Sequence, residues 1–179
     1  MNRFAVFLRG VNVGGVTVTS AKLKAALDDE PLTDVRTLRA SGNVLCSTTL
    51  SAAEAKELIE QRLRTAFGYD AWVVVLTREQ VAQIAADCPF PADSTDEHAY
   101  LTLSSDPAAL DALVQAAAEV GDTTSDNEPV RLHPLAVAWT APVGGTLAAP
   151  LAKISAKRQF TETTTTRNLR TLLRIVAAD

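Results

Sequence analysis

The chain has 179 residues, 47% of them apolar and only 5% aromatic, with a formal net charge of −4. That length holds one large domain or two small ones, and the core must be built mostly from Ala, Val, Leu and Ile. The composition excludes a wholly disordered chain, and the acidic balance argues against bulk electrostatic attraction to nucleic acid.

The apolar N-terminal run ends at Arg9, too early for a signal-peptide core, and no stretch reaches the roughly 18 uncharged apolar residues of a membrane span. A cytoplasmic protein is expected. Cys46 and Cys88 stand far apart without a CxxC pair, so reduced, buried roles are expected for both. Charge is unevenly spread. Ten acidic residues and no Lys or Arg lie between Asp87 and Glu128, whereas Lys153 to Arg174 holds six basic residues against Glu162 alone.

In chain order, the alternation of Phe4, Val6 and Leu8 with Ala5, Phe7 and Arg9 predicts a strand over 3–9. The Gly-rich stretch 10–15 ends it. Thr19 or Ser20 then caps a helix to about Leu27, with Leu23 and Leu27 buried. Val35–Arg39 reads as a second strand, Ser41-Gly42-Asn43 as a tight turn, and Val44-Leu45-Cys46 as the start of a third strand, which makes a hairpin. Ser51 and Glu54 form a capping-box pattern for a helix carrying Ala55, Leu58, Ile59, Leu63, Ala66 and Phe67, which Gly68 ends. Trp72–Leu76 is apolar enough for a strand buried on both faces. The order β-α-β-β-α-β is that of the ferredoxin-like, split βαβ motif.

A short helix over about 78–87 follows, then an acidic segment and a strand over Ala99–Leu103. Asp106-Pro107 opens a helix with Leu110, Leu113, Val114 and Ala117 inward. Pro129–Leu132 and Leu135–Thr140 read as a hairpin joined at His133-Pro134. Helical material follows Gly144-Gly145, then a Thr run, then a terminal helix from about Arg167. The second half therefore also begins β-α-β-β-α. The expected organisation is a ferredoxin-like subdomain with a short helix over 1–87, a linker over 88–97, and a second βαββα-like subdomain over 98–179 ending in an amphipathic helix. The fold class is α+β, with helices covering two sheets.

In a split βαβ unit, strands 1 and 2 run parallel with strand 3 antiparallel between them, so the exit of strand 1 and the turn between strands 2 and 3 share one end of the sheet. Arg9, Gly10, Asn12, Gly14 and Gly15 should then neighbour Ser41, Gly42 and Asn43. Glycines let backbone N–H groups approach a ligand, and a helix opening near Ser20 adds its positive end. A carboxylate or phosphate suits such donors. The alternative is that the glycines only shape a connection, with Asn12 and Asn43 satisfying turns. The stretch is neither GxGxxG nor GxxxxGK[ST], so it implies no dinucleotide or P-loop site.

Thr166, Arg167 and Asn168 open the terminal helix in this reading. Leu169, Leu172, Leu173 and Val176 would share one face, and Arg167, Arg170, Thr171 and Arg174 the other. A cation at a helix N-terminus points to a nearby anion; a solvated basic face accounts for it equally. His98 and His133 are isolated and the acidic residues lack EF-hand spacing, so neither metal nor cofactor is expected. No triad or nucleophile elbow is present. Phe4 and Phe7 fall on opposite faces of their strand, which weighs against an RNA-stacking sheet.

The motifs Phe7-Leu8-Arg9-Gly10-Val11-Asn12-Val13-Gly14-Gly15, Val35-Arg36-Thr37 with Ser41-Gly42-Asn43-Val44, and Thr165-Thr166-Arg167-Asn168 with Thr171 resemble, in order and spacing, the bacterial family DUF1697, a domain of unknown function. The resemblance spans essentially the whole chain. It implies an α+β fold with two related ferredoxin-like halves and brings no established activity, substrate or cofactor. The family motifs fall on Arg9, Gly10, Asn12, Gly14, Gly15, Ser41, Gly42, Asn43, Thr166, Arg167, Asn168 and Thr171. The chain departs from the pattern at Val16, where a basic residue is usual, at Leu169, where an aromatic is, and at Arg174, where lysine is.

Three functions follow in order of support. The first is binding of, or action on, a small anionic or phosphate-containing ligand where the three motifs meet. The second is nucleic-acid binding through the basic C-terminal face. The third is a non-catalytic interaction or oligomerisation module. No general base or nucleophile can be named, so whether the protein is an enzyme stays open.

Overall fold

A computed structural model describes residues 1–10, 17–38, 42–120 and 128–178. The chain divides into two compact units, Met1–Val81 and Ala82–Asp179.

The first unit runs β1 (Asn2–Arg9), α1 (Ser20–Leu27), β2 (Thr33–Thr37), β3 (Asn43–Thr48), α2 (Ala52–Phe67) and β4 (Trp72–Thr77), and the division falls within α3 (Arg78–Ala86). Its sheet has the order β2-β3-β1-β4 with every pairing antiparallel. β1 and β2 are therefore parallel with β3 between them, the split βαβ arrangement. Register follows from pattern: Phe4 lies opposite Cys46 and Val6 opposite Val44, so the apolar set of one strand meets that of the next. These residues, with Leu23, Leu27, Ile59 and Leu63 from α1 and α2, form one core cluster. The opposite face is also buried, at Ala5, Phe7, Leu45, Val74 and Leu76, as the unbroken apolar run of β4 predicts.

Local signals place the helices. Thr19 Oγ1 accepts from Lys22 N–H at the start of α1. At α2, Ser51 accepts from Glu54 N–H while Glu54 accepts from Ser51 N–H at 2.8 Å, a complete capping box. Gly68 closes α2 in the left-handed conformation, φ +68°.

Among the buried polar residues of this unit, one carboxylate links two elements. Glu60 on α2 is buried, and its Oε1 accepts from Val73 N–H at 2.9 Å. Lys56 pairs with the same carboxylate and donates to Val73 C=O at 3.0 Å, while Arg64 lies 3.6 Å from Oε2 and over the Trp72 ring at 4.8 Å. The carboxylate thus ties α2 to the start of β4 and balances two cations.

The second unit runs β5 (Glu97–Ser104), α4 (Pro107–Val120), β6 (Val130–His133), β7 (Ala136–Pro142), a 3-10 turn (Thr146–Ala148), α5 (Pro150–Ser155), α6 (Arg158–Thr161), β8 (Thr164–Asn168) and α7 (Leu169–Val176). Its sheet order, β6-β7-β5-β8, all antiparallel, repeats that of the first unit. Both units are ferredoxin-like. Leu110, Leu113, Val137, Trp139, Leu151, Ile154 and Phe160 form the core between helices and sheet.

Two expectations need correction. The Thr run is β8, the strand that completes the second motif, and Arg167 lies on it; the terminal helix begins at Leu169 with Asn168 as its cap. The β6–β7 turn is Pro134-Leu135, since His133 pairs with Ala136.

Replacing Glu60 by Ala leaves the buried Val73 N–H without its acceptor and takes the carboxylate from Lys56 and Arg64, and should cost about 2–3 kcal/mol by urea unfolding. Glu57→Ala, at an exposed position of the same helix, should stay within about 0.5 kcal/mol.

Candidate functional site

The sheet register brings the first two motifs together. Phe7 pairs with Asn43, and Leu8 N–H donates to Gly42 C=O at 2.8 Å, so the exit of β1 and the entry to β3 are adjacent. Gly10 takes φ +72° and Gly42 φ +144°, conformations that L side chains rarely adopt. At Gly10 an added Cβ would meet open space, so the backbone angle, not crowding, calls for glycine there.

Asn43 is buried and holds the turn from inside. Its N–H₂ group donates to Leu38 C=O at 3.4 Å, while its own C=O accepts from Leu38 N–H at 2.9 Å. Alternation along β1 puts Arg9 on the same face as Phe7, hence on the face of Asn43. Arg9 is half-buried, and desolvation pulls its guanidinium pKa below the usual value. It stays charged at neutral pH. Arg9 thus carries a partly desolvated guanidinium at the exit of β1, next to Gly10. Asn12, Gly14, Gly15 and Ser41 lie outside the described residues.

The third motif belongs to the second unit. Thr166 lies opposite Thr102, and their hydroxyls are 3.0 Å apart. Thr102 Oγ1 also accepts from Trp139 Nε1–H at 3.0 Å. Trp139 stacks on Tyr100 at 4.9 Å, and Tyr100 O–H meets Thr146 Oγ1 at 2.6 Å. Arg167 donates to Thr165 Oγ1 and to Thr166 C=O, each at 2.8 Å. Asn168 Oδ1 accepts from Arg170 N–H at 2.9 Å, the N-cap bond of α7, and Arg170 Nε donates to Ala92 C=O. Much of this motif's polarity is therefore spent on strand, cap and turn bonds within its own unit. The Trp139–Thr102–Thr166 chain escaped sequence reasoning; its one signal was a tryptophan in a strand, whose indole N–H needs an acceptor when buried.

Other chemistry is quiet. Among the described residues no group of three His, Cys, Asp or Glu is placed to hold a metal ion. His133 Nδ1 accepts from Leu135 N–H. Cys46 is buried and its thiol is pushed up to about 11 by desolvation; Cys88 is raised too, chiefly by desolvation. Neither thiol is activated. Phe4 and Phe7 are both buried and so offer no stacking platform on β1. No helix among the described residues is long and apolar enough to cross a membrane.

Two measurements check this geometry. Thr102→Val removes the acceptor of a buried indole N–H and should cost about 1–3 kcal/mol in unfolding experiments. At pH 8 a thiol of pKa about 11 is only about 0.1% thiolate, so Cys46 should resist iodoacetamide in the folded protein and react once urea unfolds it.

A solved structure, that of the conserved bacterial protein SP0830 from Streptococcus pneumoniae, is similar to this chain with a TM-score of 0.77 at 21% identity, covering 98% of this chain and 97% of that one. At that identity the likeness is one of fold. A search of curated proteins finds no match. The model of the family described as protein of unknown function, DUF1697, matches residues 1–134, and since that match takes in both the Arg9–Gly10 exit and the Gly42–Asn43 turn, the chain belongs to this family.

Proposed function

We propose that the protein binds a small anionic, phosphate-containing ligand at the end of the first sheet where Arg9–Gly10 meets Gly42–Asn43. The observation that carries this reading is the half-buried Arg9, next to the positive-φ Gly10, on a chain exit that the Leu8–Gly42 hydrogen bond joins to the turn holding positive-φ Gly42. Glycine at such exits lets backbone N–H groups turn toward an anion, and a partly desolvated guanidinium binds one more strongly than a solvated one. Two free cysteines, Cys46 and Cys88, suit a reducing cytoplasm.

This reading gives Thr166, Arg167 and Asn168 a structural role first, because the strand and the α7 cap use them. Nucleic-acid binding through the C-terminal helix has less behind it. Arg167 sits on β8, and Arg170 is tied to Ala92, which breaks up the basic stripe that reading requires.

A thermal-shift screen with inorganic phosphate, nucleotides and sugar phosphates tests the proposal. A ligand at 100 times its Kd should stabilise the fold by about 2.7 kcal/mol, and Arg9→Gln should abolish that gain while leaving the unliganded protein folded. A screen with no hit, or a hit that Arg9→Gln leaves intact, would refute it.

A further inference from the structure

The face of the first sheet turned away from α1 and α2 meets solvent at one end. Along it β1 presents Ala5, Phe7 and Arg9, and β4 presents Leu76, Val74 and Trp72, paired as Ala5–Leu76, Phe7–Val74 and Arg9–Trp72. The first two pairs are at most 2% exposed, whereas Arg9 and Trp72 are both only half-buried. Directly paired residues share a face, with Cβ atoms about 5 Å apart, so the register roots a guanidinium and an indole side by side. Gly10, at φ +72°, follows Arg9 at the same end.

The indole is steadied from α2. Arg64 lies 4.8 Å from its ring centroid and Lys56 6.0 Å, and both cations pair with the buried Glu60. β4 is the outermost strand of its sheet, which lets α2 side chains reach a ring rooted on the other face. Cation–π contacts of this kind hold a ring in place, and Trp72 still keeps part of its surface in water.

We infer, resting on the anion site proposed above, that its ligand carries a flat aromatic base, as a nucleotide does, with the base stacked on Trp72 and the phosphate at Arg9 and Gly10. Every nucleobase has a π face, so stacking on an aromatic side chain favours nucleotides over sugar phosphates without choosing among the bases. Arg9 has interactions of its own; the five N–H donors of a guanidinium let it serve a neighbour and a phosphate together.

Calorimetric titration of the full chain with adenosine monophosphate and with ribose 5-phosphate tests this. The nucleotide should bind about tenfold more tightly than the sugar phosphate, the gain from one stacked base, and should change the tryptophan emission. Trp72→Leu should bring the nucleotide down to the affinity of the sugar phosphate and leave the latter unchanged. Trp72→Tyr should keep most of the preference and lose the emission change, since the other tryptophan, Trp139, is only 2% exposed and lies in the second unit. Arg9→Gln should weaken both compounds. Equal affinity for the two, or a nucleotide preference that survives Trp72→Leu, would overturn the inference; sugar-phosphate binding that depends on Arg9 would then leave the anion site standing. Binding of neither compound at millimolar concentration would overturn both readings.

Discussion

The backbone hydrogen bond from Leu8 N–H to Gly42 C=O closes the β1–β3 ladder where both segments leave the sheet. Because side chains alternate with a period of two, a one-residue slip there would turn Phe4, Val6 and Leu8 away from α1 and α2. It would also carry Arg9 to the other face, away from Asn43. The apolar pairings Phe4–Cys46 and Val6–Val44 forbid that slip. Core packing and candidate site are thus consequences of one register.

The two units share a topology and differ in what fills it. In the first, the central strands meet through apolar pairs, and the buried carboxylate of Glu60 is neutralised by Lys56 and Arg64. In the second, β5 meets β8 through hydroxyls: Thr102 lies opposite Thr166 and Ser104 opposite Thr164. Ser104 Oγ donates to Asp106 C=O and to Thr163 C=O, and Thr164 Oγ1 donates to Phe160 C=O. These hydroxyls pack as small groups and satisfy backbone carbonyls at the strand ends, where unpaired polar atoms would otherwise cost stability. A sheet built this way needs little hydrophobicity in its last strand.

That explains what was and was not legible. The first unit could be read almost whole, since alternation, a capping box and a closing glycine each carry a local signal at Phe4–Leu8, Ser51–Glu54 and Gly68. β8 was not legible, because Thr163–Thr166 lacks an apolar period and its burial comes from β5, some sixty residues earlier. Arg167 and Asn168 read as helical for the same reason, although Asn168 does cap the helix. The adjacency of the Arg9 exit and the Gly42 turn followed from topology alone. The place of Trp72 beside Arg9 did not, since cross-strand register is a property of two paired strands and is written in neither alone.

The arginines around the first sheet differ in exposure, and that difference bears on the candidate site. Along one face β1 reads Arg3, Ala5, Phe7, Arg9, with the two middle residues almost fully buried. Cations at both margins of an apolar strip are what any sheet needs where a buried face meets water, with aliphatic stems packed down and charged heads solvated. Arg3 and Arg36, both exposed, satisfy that description by themselves. Arg9 and Arg78 do not, because one is half-buried and the other nearly closed off from solvent. Desolvating a guanidinium is costly unless acceptors compensate it. A marginal, solubilising role therefore accounts for the exposed pair, whereas the less exposed pair carry interactions of their own. Of these, Arg9 stands next to the positive-φ Gly10, where backbone N–H groups can also turn toward an anion.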